Sequence, residues 1–197
     1  HVSDYRLRYG AQLFHTFGKH TFLAGGIFEM SKSLNCKYTR VETTTADTAA
    51  LNDGFSLPMV WGAGLSYKFD NRLTVGLDYT RTDWSKAVYF GKQDSLTTRG
   101  RWVVGAEYRH NPSGRGYVEQ MYWRMGLSVS DSYLRQTAAK DYCLSVGVGF
   151  PLRNIGTIIN TTLEYGHRGT SNTLQENWLR FTISASIAEN WFFKRRL

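Results

Sequence analysis

The chain has 197 residues, of which 42% are hydrophobic, 20% charged and 15% aromatic, with a formal net charge of +8. No apolar run reaches the about 18 residues of a membrane helix, and two cysteines without metal-ligand company exclude a disulfide scaffold or a zinc module. The Lys and Arg residues stand singly until Lys194, Arg195 and Arg196, which argues against nucleic acid and favours an anionic surface such as lipopolysaccharide.

Period-two alternation dominates from the start. A first strand is predicted over about Tyr5 to Phe17, with Tyr5, Leu7, Tyr9, Ala11 and Leu13 on one face and Arg6, Arg8, Gly10 and Gln12 on the other. A turn at Gly18-Lys19 leads to a second strand from His20 to about Lys32. Residues 33–55 are polar and threonine-rich and form the longest irregular candidate. The clearest signal follows, over Leu57 to Trp84. Met59, Trp61, Ala63, Leu65, Tyr67 and Phe69 form one apolar series, and Leu73, Val75, Leu77 and Tyr79 the next, across a tight Asp70-Asn71 turn. That is a β-hairpin pattern. Each run is about ten residues, longer than the usual five or six and close to the 9–11 or so that a tilted strand needs in a bilayer.

After a loop over about 85–98, carrying Lys86, Lys92 and Asp94, a fifth strand is predicted from Arg99 to His110. A turn at Asn111-Pro112-Ser113-Gly114 precedes a sixth, from Tyr117 to Ser130. A polar connection over 131–139 leads to a seventh strand, Lys140 to Phe150. A short turn, Pro151 to Asn154, leads to an eighth, Ile155 to His167. After a loop over 168–175 comes a ninth, Glu176 to Ala188. Cys36 falls in the irregular stretch and Cys143 within a strand; a disulfide between them stays open, with nothing in the sequence to support it.

These elements predict an all-β fold, a transmembrane antiparallel β-barrel. Connections near 18, 70, 114 and 152 are short and those between them long, which is the periplasmic-turn and extracellular-loop pattern of outer-membrane barrels. Nine strands with free edges leave backbone groups unpaired in lipid at several kcal/mol each, roughly. Such barrels usually have an even strand number. The expectation is therefore that further strands precede residue 1 or are supplied by another chain, and that an export signal has been removed or the chain begins mid-sequence. Arg6, Arg8, Lys68, Asp78, Glu107, Arg109, Arg124, Glu164 and Arg180 share the polar parity and are predicted to face the lumen or a plug. A lipid-facing Arg costs about 2–4 kcal/mol at the midplane. Lys68 and Asp78 are candidate cross-strand partners. Ion pairs that fill and rigidify the interior compete with a direct transport role for each of these residues.

The hairpin also carries a family likeness. Pro58 to Ser85, with Trp61-Gly62-Ala63-Gly64-Leu65-Ser66-Tyr67 and then Leu73-Thr74-Val75-Gly76-Leu77-Asp78-Tyr79, resembles the FadL-type outer-membrane transport family, in its Bacteroides-like members. Leu7-Arg8-Tyr9-Gly10, Glu164-Tyr165-Gly166-His167-Arg168-Gly169-Thr170 and Trp191-Phe192-Phe193-Lys194-Arg195-Arg196 extend the likeness over most of the chain. The resemblance implies a monomeric 14-stranded barrel, with residues 1–197 as the C-terminal part of one outer-membrane β-barrel domain. It implies import of a hydrophobic ligand such as a long-chain fatty acid, past an N-terminal hatch and through a lateral route.

No catalytic constellation stands out. Among the histidines only His15 and His20 are close, and a turn separates them. Ser128, Ser130 and Asp131 lack a histidine partner at credible spacing. A barrel phospholipase with a site assembled across strands is the enzymatic alternative, and the chain is read as a non-enzyme without a cofactor or metal. The transport reading places apolar patches at Phe55, Trp84 or Tyr89. Its rival is a structural or accessory barrel within a larger outer-membrane assembly. Either way the expected partners are outer-membrane lipid, lipopolysaccharide and other envelope proteins, and not nucleic acid.

Overall fold

A computed structural model describes residues 4–42, 45–88, 96–132, 139–152, 157–169 and 175–187. Tyr89, Lys92, Asp94, Ile155 and the tail from Trp191 to Arg196, all singled out above, lie outside the described residues. Among the described residues eleven strands form: β1 (Arg8–Phe17), β2 (His20–Glu29), β3 (Lys32–Glu42), β4 (Thr45–Leu57), β5 (Met59–Phe69), β6 (Leu73–Asp83), β7 (Arg99–Tyr108), β8 (Tyr122–Asp131), β9 (Lys140–Pro151), β10 (Ile158–Arg168) and β11 (Glu176–Ser186). Nine of them make one antiparallel sheet in the order β1-β2-β5-β6-β7-β8-β9-β10-β11, and β3 and β4 pair as a separate two-stranded ribbon.

Strands next to one another in the sheet are mostly consecutive in the chain, as antiparallel neighbours tend to be, with the β3–β4 ribbon inserted between β2 and β5. The β5–β6 turn shows the local cause. Asp70 and Asn71 both take positive φ, 47° and 53°, and the Arg72 amide donates to the Phe69 carbonyl at 2.8 Å. Two left-handed central residues are what a type I′ hairpin turn requires, since its twist matches that of the flanking strands. Asp and Asn are among the few side chains that tolerate that conformation. Gly18, φ 57°, does the same service between β1 and β2.

Register then sorts the side chains. Lys68 lies opposite Thr74, Thr74 opposite Glu107, Glu107 opposite Arg124, and Arg124 opposite Gly147. On the other face Leu65 lies opposite Leu77, Leu77 opposite Val104, Val104 opposite Leu127 and Leu127 opposite Leu144. One face of the sheet is therefore polar and glycine-rich, and the other continuously apolar. The apolar face is uncovered: Leu13 is 77% exposed, Leu65 62%, Met125 64% and Phe181 64%. Among the described residues the buried apolar side chains are few and small: Pro58, Ala87 and Ala139. Among the described residues no helix is long and apolar enough to cross a membrane.

Three expectations need correction. Residues 33–55 are not irregular: most of them belong to the β3–β4 ribbon, whose alternation is hidden by small and hydroxylated side chains that give no hydrophobic period. Residues 117–120 form a single helical turn, α1 (Tyr117–Gln120), and not the start of a strand; the Asn111 amide donates to the Glu119 carbonyl at 2.9 Å and folds the segment back. The closed transmembrane barrel is not what forms either. The nine-stranded sheet begins at β1 and ends at β11, and these two edges are not paired to each other among the described residues. Alternation dictates which face a side chain takes. Closure depends instead on the tilt and stagger that bring first and last strands together, which a one-strand-at-a-time reading does not contain.

Candidate functional site

All nine residues predicted to face a lumen share the polar face of the sheet, or continue its parity just beyond a strand end in the case of Arg6 and Arg109. They do not form one cluster. Arg6 and Arg8 converge at one corner on Glu29, which is 3% exposed. Arg6 Nη1 approaches Glu29 Oε2 at 2.9 Å, Arg8 Nε reaches the other carboxylate oxygen, and Arg6 also donates to the Pro58 carbonyl. Two guanidiniums on one buried carboxylate satisfy a charge that would otherwise be costly to desolvate.

A second group spans the middle strands. Arg124 Nε donates to Glu107 Oε2 at 2.7 Å, directly across the β7–β8 ladder, and Arg124 Nη1 donates to Asn160 Oδ1. Its guanidinium also lies 5.1 Å from the Tyr122 ring centroid. Arg109 closes the end of β7, donating from Nε to the Gln120 carbonyl at 3.1 Å and lying 4.7 Å from the same ring. Glu164 and Arg180 form a cross-strand pair at 3.5 Å. Lys68 and Asp78 are not partners: Lys68 faces Thr74 and Asp78 faces Gly64, leaving them separated along the hairpin.

Sequence reasoning missed a third group at the end of the sheet that carries the long connections. Arg99 Nη2 lies 3.8 Å from Asp141 Oδ2 and donates to Ser130 Oγ at 3.0 Å. Arg168 Nε approaches the same Asp141 oxygen at 3.3 Å. These residues come from β7, β8, β9 and β10, so only register unites them. The one available signal was that charged residues at those strand ends share the polar parity. Nearby, the Asp83 carboxyl at the end of β6 is held below the usual carboxylate range. The Ser85 hydroxyl bond is the main cause, opposed by burial and aided by the Thr98 hydroxyl and the Lys86 charge.

Chemically, the polar face offers ion pairs and hydrogen bonds. Among the described residues no group of three or more His, Cys, Asp or Glu is placed to hold a metal ion. Cys143 carries a free thiol, and the Cys36 side chain lies outside the described residues.

Comparison with known proteins yields one finding. A family model described as BamG matches residues 25–197. No curated protein matches the chain, and no solved structure does. The match overturns the FadL-type resemblance, and with it the 14-stranded barrel, the hatch, the lateral route and fatty-acid import. The motifs quoted for that resemblance report amphipathic strands with glycine on the polar face and aromatics on the other. Such chemistry belongs to any long sheet of this kind and does not identify a transporter. BamG-type proteins are non-catalytic, reside at the bacterial outer membrane and work within a larger outer-membrane protein complex.

Proposed function

Because the chain belongs to the BamG family, whose model covers residues 25–197, we propose that it serves as an accessory component of the BAM outer-membrane complex. The structural observation that carries the reading is the division of nine consecutive strands into one polar and one uncovered apolar face. An apolar surface of this extent is far larger than the few hundred Å² or so that a protein leaves in water without a partner. Within a membrane complex, an apolar face of a neighbouring subunit covers it without leaving the β1 and β11 edges unpaired in lipid, and lipopolysaccharide headgroups are the anionic surface that suits a chain of charge +8. We take residues 1–197 to belong to one domain.

The test has two arms. The affinity-tagged protein is extracted from outer membranes in mild detergent, and the co-purifying subunits are identified by mass spectrometry. Stable recovery of the BAM complex is the expected result. Recovery of the protein free of that complex overturns the subunit role. In the second arm, Leu144→Arg and Leu65→Arg on the apolar face are compared with Ser128→Arg on the polar face. The docking reading requires the first two to lower recovery of the complex several-fold while the third does not. Equal recovery of all three refutes it.

A further inference from the structure

The rim group described above lines a half-open cavity of about 280 Å³ on the polar face. Its walls include Arg99, Arg101, Arg168 and Arg180 against only two carboxylates, Asp141 and Glu164. Asp141 is shared between Arg99 and Arg168, and Glu164 serves Arg180. Arg101, exposed and facing Ser130 across the ladder, has no ion pair among the described residues. Glu176, opposite Arg168 in register, is the next carboxylate on that face.

Two features separate this group from an ordinary solvated set of ion pairs. Positive charge is in excess inside a concave surface, where it is focused and not dispersed. Moreover, Arg99 Nε is buried and without a hydrogen-bond partner among the described residues. A buried donor without a partner is unfavourable unless something accepts from it. The Glu107–Arg124 group, by contrast, has its guanidinium occupied by Glu107 and Asn160. The rim therefore lacks an acceptor with several oxygens and negative charge.

We propose that this cavity is an anion site that takes a phosphate group, with Arg99, Arg101 and Arg168 as its donors. Guanidinium forks match phosphate oxygens and bind them with charge-assisted hydrogen bonds. A phosphate dianion neutralises the excess that the two lining carboxylates leave. The phosphate could be carried by a lipopolysaccharide headgroup or be free in solution, and the chemistry recognised is the same. The inference rests on the geometry of the rim alone and is independent of the subunit role.

The test titrates the whole protein in detergent micelles with inorganic phosphate at constant ionic strength, followed by ³¹P NMR. It then repeats the titration with micelles doped with lipid A. Arg101→Gln and Arg168→Gln are compared with Arg72→Gln, which removes the same charge at the opposite end of the sheet. The expected result is saturable phosphate binding weakened about tenfold or more by the first two substitutions and left within about twofold by the third. Competition by lipid A assigns the site to a headgroup; its absence with retained phosphate binding assigns it to free phosphate. Arg101 makes no ion pair and is exposed, so its loss leaves the fold intact, which far-UV circular dichroism checks. No saturable binding of either probe, or equal weakening by Arg72→Gln, overturns the proposal.

Discussion

The Glu107–Arg124 pair offers the sharpest test of how the polar face is held. Arg124 Nε lies 2.7 Å from Glu107 Oε2, and the two side chains are 36% and 37% exposed. A charge-assisted hydrogen bond in a shielded place contributes about 1.5–3 kcal/mol, whereas a fully exposed pair gives about 0.2–1. Exposure slightly above one third places this pair between, at a coupling of about 1 kcal/mol. Arg124→Met keeps most of the aliphatic stem but also loses the bond to Asn160 and the contact with Tyr122, which adds about another 1 kcal/mol. Urea unfolding in detergent should therefore show Arg124→Met destabilised by about 2 kcal/mol. A double-mutant cycle with Glu107→Gln should return a coupling of about 1. In about 1 M salt, where screening acts over roughly 3 Å, the coupling should fall by half or so. A coupling under about 0.3 kcal/mol at low salt refutes the argument, since the cross-strand register would then place charges together without stabilising the sheet.

Three further outcomes are expected. Asn71→Val, at φ 53° in the β5–β6 turn, forces a β-branched side chain into the left-handed region and should cost about 1–2 kcal/mol in the same unfolding measurement. Asn71→Gly should be neutral or stabilising. Gly166 has no room for a Cβ, which would meet the Trp178 indole; Gly166→Ala should shift tryptophan fluorescence and destabilise by about 1–3 kcal/mol. Asp83 has its folded-state pKa depressed chiefly by Ser85. Its stabilising contribution is therefore fully present above the ordinary carboxylate range and is lost as pH falls through that range to the folded value. Asp83→Asn should flatten that acid limb of the stability–pH profile, and an unchanged profile counts against the hydrogen bonds as its cause.

Much of the fold was legible because alternation is a local property. The strands over Met59–Phe69, Leu73–Asp83, Arg99–Tyr108 and Lys140–Pro151 fall where the apolar parity runs. All nine polar-parity candidates share one side of the sheet. The ribbon of β3 and β4 was not legible, since runs such as Thr45-Ala46 and Ala49-Ala50 carry no period. The helical turn at Tyr117–Gln120 was hidden because Tyr117 extends the alternation of β8 backwards by even steps; the backbone bond from Asn111 to Glu119 decides it. The Lys68–Asp78 pairing failed for a register reason: both face the same way, but each lies opposite a different residue.

What the sequence determined by itself is the identity of the two faces. Side chains alternate with period two, so composition along each run settles what is polar and what is apolar, whatever the strand pairs with. Membership in the BamG family is likewise a property of the chain. Only the tertiary structure decided which residues meet across strands. It sets Arg124 against Glu107 and Arg180 against Glu164, and it gathers Arg99, Asp141 and Arg168 from three strands around one cavity. It also leaves β1 and β11 as edges. Those outcomes depend on register and sheet curvature, quantities summed over many residues and fixed by no single run of them.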